Sequence, residues 1–100
     1  MPAKSAIIHP GEILLTEFME PLGLTAYALA KALQVERPRL ERIVREEQGV
    51  TADTALRLAR YFGTTPEFWL NLQAKYALER ARDEIGSDLE EIEPRQSQAA

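Results

Sequence analysis

The stretch "LAKALQVERPRLERIV", Leu29 to Val44, decides how this chain is read. Leu29, Ala30 and Leu33 recur at helical spacing, Gln34, Val35 and Glu36 interrupt them, and Leu40, Ile43 and Val44 then fall on a second helical arc. Among these apolar positions stand Arg37, Arg39 and Arg42, followed directly by Arg45. At about 100° per residue, Arg42 points almost directly away from the apolar arc, flanked by Arg39 and Arg45. The second helix is therefore expected to be apolar on its inner side and cationic on its outer side.

A helix, a short turn and a second helix crossing it form a helix-turn-helix, whose second helix can enter a DNA major groove. Ala30 is small where the two helices would cross, and Leu29, Leu33, Val35, Leu40 and Ile43 occupy the positions that pack the unit together. An outward guanidinium matches both guanine O6/N7 and phosphate oxygens. Arg39 and Arg42 are accordingly expected at base edges, Arg37 and Arg45 at phosphates, and Lys31 at a further phosphate. The competing reading is an ordinary solvated face carrying the local ion pairs Arg37–Glu41, Arg42–Glu46 and Arg45–Glu41. Two residues fit the motif poorly. Gln34 stands where glycine is usual, and Glu36 stands where a short hydroxyl would cap the helix and where its charge would repel a DNA backbone.

Outward from this core the pattern is all-α, with no strand alternation bounded by hairpin turns. Pro10 opens a first helix with Glu12 in its first turn and Ile13, Leu14 and Phe18 on one face. It should end near Met19, because Pro21 disfavours the α region for Glu20. Thr25 caps the second helix, which reaches Leu33, and the third runs from about Arg37 to Glu46. Thr51 caps a fourth in which Leu56, Ala59 and Phe62 recur, stopped by Gly63. Thr65, Pro66 and Glu67 start a fifth, from Pro66 to about Asp83. This divides the chain into a helix-turn-helix domain over 1–85 and an acidic, flexible tail over 86–100, where only Leu89 and Ile92 could dock.

One hundred residues, 45% hydrophobic and 28% charged, make one small domain with one core. The formal net charge of -4 argues against nucleic acid only until its distribution is followed. Residues 83–100 carry six acids and one arginine, a net of -5, whereas residues 1–82 carry eleven cations and ten acids, a net of +1. From Thr25 to Arg45 the net is +3. With no cysteine there is no disulfide framework or thiolate metal site, and neither a signal-peptide apolar run nor a membrane span is visible, so a cytoplasmic protein is expected.

Catalysis finds little footing. Ser5, Ser87 and Ser97 lie in the expected flexible ends, no histidine base accompanies a nucleophile, and no glycine-rich loop could cradle phosphate. Glu46-Glu47 and Glu90-Glu91 are sequence neighbours, which do not face one another on a helix. His9 is the single histidine, immediately before a helix start; an end-of-helix structural role is expected and no metal or cofactor. Phe68, Trp69, Leu72 and Tyr76 form an apolar face on the last helix that could serve the core or a dimer seam.

Three ordered motifs, "HPGEILLTEF" (His9 to Phe18), the helix-turn-helix core, and "TADTALRLARYFGT" with "TPEFWLNLQ" (Thr51 to Gln73), resemble the HigA/VapI-type antitoxins of bacteria, over roughly Ile8 to Ala81. The resemblance implies a five-helix, lambda-repressor-like fold of the Xre type. It also implies a homodimeric transcriptional repressor that binds a palindromic operator, with C-terminal helices in the dimer. A HigB-type toxin, an mRNA-cleaving ribonuclease, is the implied partner and double-stranded operator DNA the implied ligand. Gln34, Glu36 and the Glu46-Glu47 pair depart from the family pattern. The alternative is a stand-alone helix-turn-helix regulator or a protein-interaction module without a toxin, for which Glu36 and the acidic tail speak.

Overall fold

Helix starts in this protein are written in side-chain chemistry. In the computed structural model, which describes residues 7–96, the Nδ1 of His9 accepts from the Gly11 N–H at 2.8 Å and opens α1 (Pro10–Leu22). Thr25 accepts from Ala28 N–H at 3.0 Å and opens α2 (Ala26–Leu33). Thr51 and Thr65 do the same, through Thr54 and Phe68, for α4 (Ala52–Phe62) and α5 (Pro66–Glu90). Each hydroxyl or ring nitrogen satisfies an amide that the helix itself leaves without a partner. The remaining helix, α3 (Arg37–Val44), follows Glu36, which makes no capping hydrogen bond. These five helices, with no strand among the described residues, are the all-α fold expected.

Four of the five helix ends follow one rule, with two unusual occupants, and α5 ends instead at Glu91 in the right-handed region. Gly23 and Gly63 end α1 and α4 at φ of 66° and 77°, where a missing Cβ makes the left-handed region accessible. Gln34 and Glu46 adopt the same region, at 62° and 66°, after α2 and α3. In both cases the next amide reaches back five residues, Val35 N–H to Ala30 O and Glu47 N–H to Arg42 O, so the hydrogen-bonded end motif forms despite a side chain that disfavours it. This ends α3 at Val44, two residues before the expected Glu46.

Three further expectations are corrected. Pro21 does not end α1 near Met19. Leu14–Met19 is wound as a π-helix, in which the Glu20 N–H donates to Leu15 O, five residues back, and Glu20 stays in the right-handed helical region. The widened turn takes the strain that a proline ring would impose on an α-helical carbonyl, and α1 continues through Glu20–Leu22. Leu56 is 59% exposed, because the inward stripe of α4 is Thr54, Ala55, Leu58 and Ala59. Finally α5 runs seven residues past Asp83 to Glu90, with one non-helical residue at Ile85.

The core gathers Leu14, Leu29, Leu40, Ile43, Leu58 and Trp69, one or more from every helix. Close approach is built in at two glycines. A Cβ on Gly11 would collide with the Ile43 carbonyl, so α1 can abut the end of α3 only with glycine there. Gly49 similarly leaves room for the Gln73 side chain, whose Oε1 accepts from the Val50 N–H at 2.8 Å and ties the loop after α3 to α5. Beyond Ala81 the last helix is exposed almost throughout and projects from the domain. Among the described residues no single helix is long and apolar enough to cross a membrane. Ser5, Ser97 and the last residues of the acidic tail lie outside the described residues.

Candidate nucleic-acid interface

Burial on one side of α3 defines what the other side can do. Leu40 and Ile43 are fully buried, and Ala30 is buried on α2, so the two helices lock together with their connection at Gln34 to Glu36. Arg37, Arg42 and Arg45 consequently stand in solvent on the outer side, and Lys31 is exposed in the last turn of α2. Of the three local ion pairs that could have neutralised this face, one forms: Arg37 Nε lies 3.1 Å from Glu41 Oε2. Arg42 and Arg45 make no ion pair among the described residues. Two free guanidiniums, Arg42 on a rigidly backed helix and Arg45 directly after its last turn, suit phosphate and base-edge recognition.

Arg39 behaves differently. Its side chain is 25% exposed, and Nη1 donates to Asp53 Oδ1 at 2.8 Å and to Thr54 Oγ1 at 3.3 Å, both on α4. Expected at a base edge, it is instead engaged within the fold. Asp53 Oδ1 also accepts from Arg57 Nε at 2.7 Å, and Arg57 Nη1 donates to the Leu33 carbonyl at 2.8 Å. The hydrogen bond from Arg57, and then that from Arg39, holds the Asp53 carboxyl below its ordinary range. Neither Asp53 nor Arg57 stands out in the sequence reading, although an acid four residues before an arginine in a helix's first turns is a recognisable local pair. Its partners 14 and 24 residues away leave no comparable trace.

The apolar face of α5 divides. Trp69 is fully buried, and its Nε1 donates to Thr64 Oγ1 at 2.8 Å, so the residue has no surface to give to a dimer seam and belongs to the core. Phe18 packs at a tilt against both Phe62 and Trp69, at centroid distances of 4.9 and 5.0 Å, completing that cluster. Phe68 retains 37% exposure, and Leu72 and Tyr76 are partly buried. Tyr76 sets its ring edgewise to His9 at 4.6 Å. His9 thus has the structural end-of-helix place that its position suggests, in a setting where burial lowers its pKa.

Known proteins share this fold. A helix-turn-helix family profile matches residues 15–69. Virulence-associated protein I of Dichelobacter nodosus is 56% identical, over 84% of this chain and 74% of its own length. Antitoxin HigA-1 of Vibrio cholerae is 40% identical over 91% of this chain and 86% of its own. Among solved structures, the Pseudomonas aeruginosa antitoxin HigA with the higBA promoter superposes with a TM-score of 0.87 at 47% identity, covering 90% of this chain and 99% of that one.

Proposed function

The chain belongs to the helix-turn-helix family and, within it, to the HigA-type antitoxins, and from that membership we propose that it is a sequence-specific DNA-binding repressor and antitoxin that controls its own operon. The observation that carries this reading is the outer side of α3, where Arg42 and Arg45 are exposed and unpaired while Leu40 and Ile43 anchor the helix from behind. Arg42 takes a base edge, and Arg45, Arg37 and Lys31 take phosphates, Arg37 after releasing Glu41. The acting unit is a homodimer that sets two copies of α3 about 34 Å apart, one turn of DNA, in successive major grooves. Phe68, Leu72 and Tyr76 contribute its seam. Residues 1–85 form the binding domain, residues 86–100 a solvated acidic tail, and the protein works in the cytoplasm beside a HigB-type toxin that it neutralises. It is not an enzyme.

The test is a gel-shift titration on the chain's own promoter region at two salt concentrations, with Arg42→Ala alongside. Wild-type binding should weaken steeply as salt rises, and Arg42→Ala should cost about 1 to 3 kcal/mol while relaxing selectivity at one position. Equal loss on every DNA sequence would make Arg42 a phosphate anchor instead. A second reading, a protein-interaction module, is favoured by the projecting end of α5, which exposes Leu78, Ile85 and Leu89 beside Asp83, Glu84 and Asp88. Absence of DNA binding even at low salt would select it.

A further inference from the structure

Arg39 is the third residue of α3, in the turn that a helix-turn-helix protein brings closest to base edges. Its guanidinium nevertheless faces α4, 2.8 Å from Asp53 Oδ1, with Glu36 a further 3.9 Å contact on its other side. Asp53 cannot follow Arg39 outward, because the same oxygen is held by Arg57 Nε at 2.7 Å. Arg57 is fixed in turn by its 2.8 Å hydrogen bond to the Leu33 carbonyl at the end of α2. The chain of contacts therefore runs from the first helix of the motif, through α4, to the first turn of the second.

Resting on the DNA-binding reading above, we infer that Asp53 decides which cations around the recognition helix are offered to a duplex, withholding Arg39 and leaving the contacts to Arg37, Arg42, Arg45 and Lys31. Asp53 is a positioning residue that shapes specificity without touching DNA. A guanidinium already set between two carboxylates gains little from an approaching phosphate, whereas an unpaired one gains its full attraction. Arg39 consequently contributes none of the counterion release that accompanies a phosphate contact. Neutralising Asp53 removes the nearer carboxylate and makes Arg39 available as one more cation on the binding face.

Fluorescence-anisotropy titrations of the wild-type chain, Arg39→Gln, Asp53→Asn and the double variant on a duplex of the chain's own promoter region, from about 50 to 200 mM salt, test this. Circular dichroism verifies that each is folded. Arg39→Gln alone should leave the slope of log K against log salt unchanged, Asp53→Asn should steepen it by about 0.9, and the double variant should return to the wild-type slope. A shallower slope for Arg39→Gln in the wild-type background, or no steepening in Asp53→Asn, overturns the inference while leaving the DNA reading intact. If Asp53→Asn does not fold, Arg39→Gln decides alone: an unchanged slope supports the inference and a slope shallower by about 0.9 overturns it. A wild-type chain that binds no duplex at low salt ends both.

Discussion

His9 must be neutral to do its work, because a capping Nδ1 that accepts from Gly11 cannot also carry a proton. Its proton therefore sits on Nε2. Burial lowers its pKa from the ordinary 6.5; Glu46 opposes that shift and Arg80 adds to it. Below pH 6.5 the unfolded chain takes up this proton more readily than the folded one, so stability present above that pH is lost as pH falls toward the lowered folded value. Urea unfolding at pH 7.5 and 5.5 should show the wild type losing stability on acidification and His9→Asn, which caps without titrating, losing less. Parallel losses in the two proteins would remove His9 from the account. The capping role is legible in the position of His9 before Pro10, but the ring of Tyr76 and the charge of Glu46 are brought to it only by packing.

At the scale of the helix, α3 is the one element that opens without side-chain help. Glu36 is extended at φ -76°, ψ 145°, the backbone of a cap, yet its carboxylate caps nothing and lies 3.9 Å from Arg39. Glu36→Ser supplies the missing acceptor and should stabilise the fold by about 1 kcal/mol. That corresponds to roughly 4 to 8 °C in melting temperature for a domain of this size. An unchanged thermal melt would show that no capping bond forms. Helix ends also show where sequence reasoning works. Thr25, Thr51 and Thr65 were readable because a cap involves residues two or three apart, and the punctuation sits in the sequence itself. Pro21 misleads for the opposite reason: proline forbids an α-helical hydrogen bond, but nothing local announces the π-turn that makes the prohibition irrelevant. Leu56 misleads because the direction α4 faces depends on where α5 lies. Arg39 is the costliest case, since the helical wheel places it correctly on the outer side of α3 and only the long-range pair with Asp53 turns it inward.

Taken as one body, the molecule has a small basic reading head and an acidic projection. Up to its break at Ile85, α5 rises about 28 Å from Pro66 to Glu84, with its first turns packed and its last bare. Ending the chain at Ile85 removes four acids and one arginine, taking the formal net charge from -4 to -1. Residues 86–96 lie outside the core, so stability in urea should change by no more than about 0.5 kcal/mol. Affinity for duplex DNA at low salt should rise, on promoter and mixed sequence alike, because repulsion between the tail and the phosphates acts without regard to sequence. Unchanged affinity would show that the projection is held clear of the duplex.

The same projection dictates how copies of the protein must be counted. Its radius of gyration is 17.1 Å and its extents 54 × 36 × 20 Å, against about 13 Å expected for a rounded chain of this length. A lone protomer will tumble and elute from a sizing column as though it were considerably heavier, so an elution volume resembling that of a dimer is no proof of one. Light scattering or sedimentation equilibrium, which weigh particles whatever their outline, are the measurements that distinguish a long monomer from a true pair.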